Sequence, residues 1–76
     1  MEPAMENVIR AFFDQDKVYM EVYEMVKATG ESHQQIARHH IDKLEEEDYI
    51  IISVEGDDAY ELTAKGRTYY MENFRD

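Results

Sequence analysis

Residues 41–70 read IDKLEEEDYIIISVEGDDAYELTAKGRTYY, and this stretch decides the predicted fold. An apolar stripe at helical spacing ends in acidic residues, and β-branched and aromatic residues follow over 49–54. The sequence EGDD at 55–58 predicts a turn, and AYEL at 59–62 predicts the return strand of a hairpin. Thr63 then suits the N-cap of a last helix. One stretch therefore predicts the order helix, hairpin, helix.

The same stretch is strongly acidic. Eight acidic residues and no basic one lie between Glu45 and Glu61, in a chain whose net charge is −10. Because neutralisation of phosphates supplies most non-specific DNA affinity, such a chain is repelled by DNA overall. Residues 32–43, in contrast, carry a net charge of +1. Local charge therefore keeps a DNA-binding role open.

Apolar periodicity and capping signals predict the remaining elements. The predicted helices lie near 4–14, 20–29, 32–47 and 63–75, with the hairpin at 49–62. Gly30 suits a left-handed C-cap, and Ser32 with Gln35 forms a capping-box pattern at the start of the third helix. One or two residues near 17–19 could pair with the hairpin as a third strand.

The predicted architecture is α+β, with a single domain over residues 1–76. His40 is predicted to be a half-buried packing residue beside the apolar stripe of the third helix. The predicted core includes Ile36, Ile41, Leu44, Ile50, Ile52 and Leu62.

Composition excludes several classes of protein. The chain has no cysteine, so disulfide frameworks, thiolate metal sites and thiol nucleophiles are excluded. No apolar stretch approaches the roughly 20 residues that span a bilayer, and the acidic start does not resemble a signal peptide. These features predict a soluble, cytoplasmic protein without membrane contact.

Three segments together resemble the winged helix-turn-helix domain of small transcription regulators of the MarR and PadR type. Residues 20–44 resemble its helix, tight turn and recognition helix. LEEEDYI at 44–50 resembles the exit from that helix into the wing, and YELTAKGRTYY at 60–70 resembles the closing segment. Asp48 stands where the family commonly has glycine, and the wing tip at 55–58 is acidic. The resemblance implies DNA binding through the third helix, whereas the acidic tip, a departure from the family, predicts a wing that does not bind phosphates.

The exposed face of the third helix carries the predicted DNA contacts. Glutamine can pair bidentately with adenine, and arginine can pair with guanine or a phosphate. A plain solvated helix face is the alternative interpretation of the same residues. The predicted DNA-binding residues are His33, Gln34, Gln35, Arg38, His39 and Lys43.

Neither a metal site, nor a cofactor, nor an enzymatic activity is expected. His33 and His40 are seven residues apart in sequence, about 10 Å along a helix, which is too far for two ligands of one zinc ion. His39 and His40 point about 100° apart on the helix. The sequence has no glycine-rich phosphate loop and no nucleophile motif.

Two kinds of protein contact are also predicted. The apolar groups of the last helix exceed what one core-facing side needs, which predicts a homodimer through Tyr69, Tyr70 and Phe74. The alternative to DNA binding is an acidic interaction module that occupies a partner's nucleic-acid-binding surface. Its predicted contact residues are Glu45, Glu46, Glu47, Asp57 and Asp58.

Overall fold

A computed structural model describes residues 1–75 of the chain, so the last residue of the predicted domain lies outside the described residues. The chain folds as α+β, with four helices and three strands. In chain order the elements are α1 (Pro3–Asp14), β1 (Tyr19–Glu21), α2 (Val22–Thr29), α3 (Gln34–Glu46), β2 (Ile50–Ile52), β3 (Ala59–Leu62) and α4 (Ala64–Asn73). This order is compatible with the predicted winged helix.

The three strands form one antiparallel sheet in the order β1-β3-β2. Ile52 pairs with Tyr60, and Met20 of β1 pairs with the other side of the same tyrosine. The third strand was predicted near 17–19, but it lies at Tyr19–Glu21, and α2 therefore begins at Val22 rather than at 20. Glu24 caps the start of α2, because its Oε1 accepts a hydrogen bond from the Glu21 N–H at 3.2 Å.

The core lies between the helices and one face of the sheet. Ile41, Leu44, Ile50 and Leu62 are buried, as predicted. Most of the remaining core comes from helices α1 and α2. The buried apolar residues of these helices are Met5, Val8, Ile9, Ala11, Phe12, Val22 and Met25.

Two predicted core residues are instead exposed. Ile36 is 45% exposed, like its neighbours in the first turn of α3, and burial in this helix begins at Ala37. Ile52 is 63% exposed, although strand alternation puts it on the same face of the sheet as the buried Ile50. On this face of the sheet, burial falls from Ile50 to Ile52, so the alternating pattern alone overestimated the core.

The helix ends agree with the predicted caps in two of three places. Gly30 has a φ of 75° and ends α2 as a left-handed C-cap. The Thr63 hydroxyl accepts a hydrogen bond from the Gly66 N–H and caps α4. The capping box predicted at Ser32 and Gln35 is wrong: α3 begins one residue later than that pattern requires, with His33 at an N-cap that has no side-chain cap bond.

A junction around Thr63 ties the hairpin to the last helix. The hydroxyl of Thr63 donates a hydrogen bond to the carbonyl oxygen of Asp48 at 2.6 Å, and its N–H donates to the carbonyl of Tyr49 at 3.0 Å. Gly66 lies so close that an added Cβ would be 2.5 Å from the Tyr49 carbonyl oxygen. This close approach explains why the segment LTAKG needs glycine at its end. No helix within residues 1–75 is long and apolar enough to cross a membrane.

Candidate nucleic-acid interface

The outer side of α3 carries a continuous polar face. Buried Ala37, Ile41 and Leu44 fix the opposite side of the helix against the core. Five side chains on the outer side line one shallow surface depression, which we call the reading face. The reading face consists of Gln34, Gln35, Arg38, His39 and Asp42.

The side chains of the reading face are available for an external partner. In the part of the chain that the structure describes, none of the five makes a side-chain hydrogen bond or an ion pair with the protein. Spacings of one, three and four residues bring glutamine, arginine and histidine donors together on one helical surface. Such a surface can present several donors to base edges or phosphates at once.

Two of the predicted DNA-binding residues lie outside the reading face. His33 is exposed at the N-cap of α3, at the end where the helix has free N–H groups that suit an anion. Lys43 is also exposed, but it lines another depression, beside Glu2, Met5 and Tyr69. The structure therefore brings four of the six predicted residues together.

Several other cations are engaged within the protein. Lys17 forms an ion pair with Glu24, which raises the pKa of Lys17 and lowers the pKa of Glu24. The guanidinium of Arg10 lies over the ring of Phe74, 5.1 Å from its centre. The ammonium of Lys65 donates a hydrogen bond to the Glu47 carbonyl at 2.6 Å. Arg38, in contrast, lies in the middle of the polar face of α3, and its side chain makes no hydrogen bond or ion pair within the described residues.

His40 is a packing residue, as predicted. Its Nδ1 lies 3.0 Å from a carboxylate oxygen of Glu2, and its side chain is largely buried. The rings of His39 and His40 diverge, with centres 6.1 Å apart. No group of three or more histidine, aspartate or glutamate side chains that could hold a metal ion is found among the residues described.

The tip of the hairpin is held by the protein rather than extended from it. An added Cβ on Gly56 would lie 2.6 Å from the ring of Tyr19 and 2.9 Å from Ala59. The carbonyl of Asp58 accepts a hydrogen bond from the Val22 N–H at 2.9 Å, which fixes the turn to the start of α2. Glu55 and Asp57 remain exposed at this tip, where they would meet phosphates with like charge.

Carboxylate side chains also cluster where α3 lies beside the sheet. The hydroxyl of Tyr60 donates a hydrogen bond to Glu45 Oε1 at 3.2 Å. Burial, followed by the charge of Glu45, raises the pKa of Tyr60, and Asp42 and Asp58 add to the same effect. Asp42 therefore belongs both to the reading face and to the edge of an acidic region.

The aromatic residues of α4 make contacts within the chain. Tyr70 stacks on Phe13 of α1 with ring centres 3.9 Å apart. The hydroxyl of Tyr69 donates a hydrogen bond to Glu6 Oε2 at 2.6 Å, and Phe74 lies beneath Arg10. All three residues from which the dimer was predicted are therefore engaged within the chain and partly buried, and dimerisation through them remains a prediction.

Comparison of the chain with protein-family models, with curated proteins and with solved structures found no match.

Proposed function

We propose that this chain is a winged-helix transcription regulator that binds double-stranded DNA and reads the major groove with α3. The observation that carries the proposal is the reading face, where Gln34, Gln35, Arg38 and His39 line one exposed depression. The order of helices and strands, with β2 and β3 following α3, supports the same assignment.

The charges on the reading face allow only a few contacts with phosphates. Arg38 binds guanine or a phosphate, while Gln34 and Gln35 select adenine through bidentate hydrogen bonds. The acidic hairpin tip repels phosphates and does not bind them. The chain therefore binds DNA through α3, with weak non-specific affinity. Sequence discrimination of about 1–3 kcal/mol for each good base contact then matters more than total charge.

A homodimer would present two copies of α3 to successive major grooves, one helical turn apart. Light scattering then gives a mass twice the 9.1 kDa of one chain. A single 9.1 kDa species at high micromolar concentration, with DNA binding intact, would assign recognition to the monomer.

The test compares Arg38→Ala with Arg67→Ala by fluorescence anisotropy on labelled duplexes over a series of salt concentrations. Both variants remove one exposed arginine, but Arg67 lies on α4. The proposal expects Arg38→Ala to weaken binding about tenfold and to reduce the salt slope by about one, with Arg67→Ala close to the parent chain. An Arg38→Ala variant that binds as well as the parent chain would refute the proposal and favour the protein-interaction alternative.

A further inference from the structure

Strand β2 has an open edge. Tyr49 and Ser53 form backbone hydrogen bonds with Thr63 and Ala59 of the neighbouring segment, through Thr63 N–H to Tyr49 O at 3.0 Å and Ser53 N–H to Ala59 O at 2.9 Å. Because hydrogen-bonded and non-bonded pairs alternate along an antiparallel ladder, the backbone groups of Ile50 and Ile52 point away from β3. The sheet order places β2 at the outside, so these groups face away from the other strands. Ile50 is only 1% exposed, however, so the accessible backbone of this edge is that of Ile52.

Aliphatic side chains accompany this open backbone. Ile51 and Ile52 are 58% and 63% exposed, and Val54 just beyond the strand is 96% exposed. Exposed edge strands are normally protected by charged side chains or proline on the strand itself. Residues 50–54, IIISV, carry neither.

Carboxylates flank the open edge on both faces of the sheet. On the face toward α3, Glu45 accepts the hydrogen bond from Tyr60, the residue that pairs with Ile52. On the other face, Glu61 pairs with Ile51 and accepts a hydrogen bond from Ser53 Oγ at 2.8 Å. The nearest basic residues in the chain are Lys43 and Lys65, both outside the segment from Glu45 to Glu61.

We infer that the open edge of β2 is a docking site for an extended, lysine- or arginine-rich segment of a partner protein, which adds to the sheet as a fourth strand. The backbone groups of Ile52 supply hydrogen bonds, and the exposed aliphatic side chains supply apolar contacts. Alternate basic side chains of the partner then meet the carboxylates on either face.

Charge favours a basic peptide segment over a second copy of the chain or DNA as the partner of β2. A second copy of the chain would bring two segments with eight acidic residues each against one another, which opposes pairing of β2 with itself. DNA carries the same sign of charge as the segment and offers no strand backbone. A cationic strand satisfies both the open hydrogen-bonding groups and the surrounding charge.

The experiment titrates the full chain with an end-blocked peptide of about six residues in which lysine and valine alternate. Backbone amide shifts measured by NMR report where the peptide lies. The expected result is that the largest shifts fall on Ile52 and Val54, that added salt weakens binding, and that a central proline in the peptide abolishes it. A peptide with glutamate in place of lysine should not bind.

Two matched variants of the chain separate the β2 edge from general acidity. Ile52→Lys places a repelling charge on the edge, whereas Val18→Lys changes an aliphatic residue of similar exposure, 66%, outside the sheet. Ile52→Lys should weaken peptide binding about tenfold, whereas Val18→Lys and Arg38→Ala should leave it unchanged.

Three results would overturn the inference. The first is equal binding of the glutamate peptide. The second is a lysine–valine peptide that does not bind, or that shifts residues elsewhere while Ile52→Lys binds it normally. The third is self-association of the free chain that Ile52→Lys abolishes, which would make a second copy the occupant.

Discussion

Asp48 adopts a left-handed backbone conformation with a φ of 67°, at the point where the chain leaves α3 for the sheet. For a residue other than glycine, this conformation costs about 1–2 kcal/mol of conformational free energy, although aspartate tolerates it better than most. Its carbonyl nonetheless accepts the hydrogen bond from Thr63, so the conformation is required by the junction between hairpin and α4. The resemblance to winged helices expects glycine at this position, and the observed φ supplies the reason.

Replacement of Asp48 by glycine should therefore stabilise the chain. We expect Asp48→Gly to raise the free energy of unfolding by about 1 kcal/mol, measured by urea denaturation. Asp48→Asn is the matched control, because asparagine also tolerates this conformation but lacks the charge at the C-terminal end of α3. If Asp48→Asn stabilises the chain as much as Asp48→Gly, the charge and not the backbone is responsible.

Tyr69 provides a second residue-scale test, based on pH. Its hydrogen bond to Glu6, and then its burial, raise the pKa of Tyr69 to about 12. A phenol whose folded-state pKa lies above its unfolded value contributes stability that is complete below about pH 10 and is lost as the pH rises through the folded value. Tyr69→Phe should therefore lower the free energy of unfolding by about 1 kcal/mol at neutral pH. It should also remove the phenol that ionises near pH 12.

The measurement is ultraviolet absorbance of tyrosinate as the pH rises, with urea denaturation at neutral pH. Tyr23→Phe is the control, because Tyr23 is exposed and its replacement should leave the free energy of unfolding unchanged. A Tyr69→Phe chain that retains a phenol ionising near pH 12 would contradict the assignment of that pKa.

At the scale of elements, Gly66 controls how closely α4 approaches the start of β2. In an isolated helix, replacing glycine by alanine stabilises by about 1 kcal/mol. Here the alanine Cβ would lie 2.5 Å from the backbone oxygen of Tyr49 and 2.6 Å from Leu62 Cδ1. The backbone cannot move away from this contact without a cost in free energy.

We therefore expect Gly66→Ala to destabilise the protein by roughly 1–3 kcal/mol, with the midpoint of urea denaturation as the measurement. Thr68→Ala, an exposed position in the same helix, should be neutral or slightly stabilising. Equal stability of Gly66→Ala and the parent chain would show that the contact between α4 and Tyr49 is looser than the geometry requires.

The element order could be predicted from sequence because apolar periodicity, the turn at 55–58 and two of the three predicted caps all pointed to the same arrangement. The missed details have physical causes. Strand β1 is only three residues long, and it forms because β3 offers Tyr60 and Glu61 as partners rather than because of local propensity. Exposure of Ile52 depends on where the hairpin leaves the core, which alternation cannot reveal.

The candidate site was partly predictable for the same reason. Helical spacing alone places Gln34, Gln35, Arg38 and His39 on one face, and the structure has them there. The engagement of the α4 aromatics with α1 could not be predicted, because it depends on how two helices distant in sequence pack together. The open edge of β2 likewise becomes visible only from the order of the strands.

For the molecule as a whole, we expect net charge to limit the proposed DNA binding more than shape does. Glu55 and Asp57 are exposed at the hairpin tip, so their replacement by lysine should tighten non-specific binding and steepen its salt dependence. Asp58 is left unchanged in this variant, because its φ of 48° would strain a lysine and its carbonyl anchors the turn to Val22. Anisotropy at several salt concentrations measures the effect.

The matched control reverses two exposed acids away from the hairpin, Asp14 and Glu72, and so produces the same change in net charge. A larger effect at the hairpin shows that this tip lies near the bound phosphates. Equal effects of the two variants would mean that only net charge matters and that the hairpin does not lie beside the DNA.

The proposed role of α3 in reading DNA can be tested by amide shift mapping with a DNA duplex at low salt. We expect the largest shifts at Gln34, Gln35, Arg38 and His39, with smaller shifts at the hairpin tip. A duplex that shifts none of these residues, or that shifts residues 50–54 more strongly than α3, would contradict it.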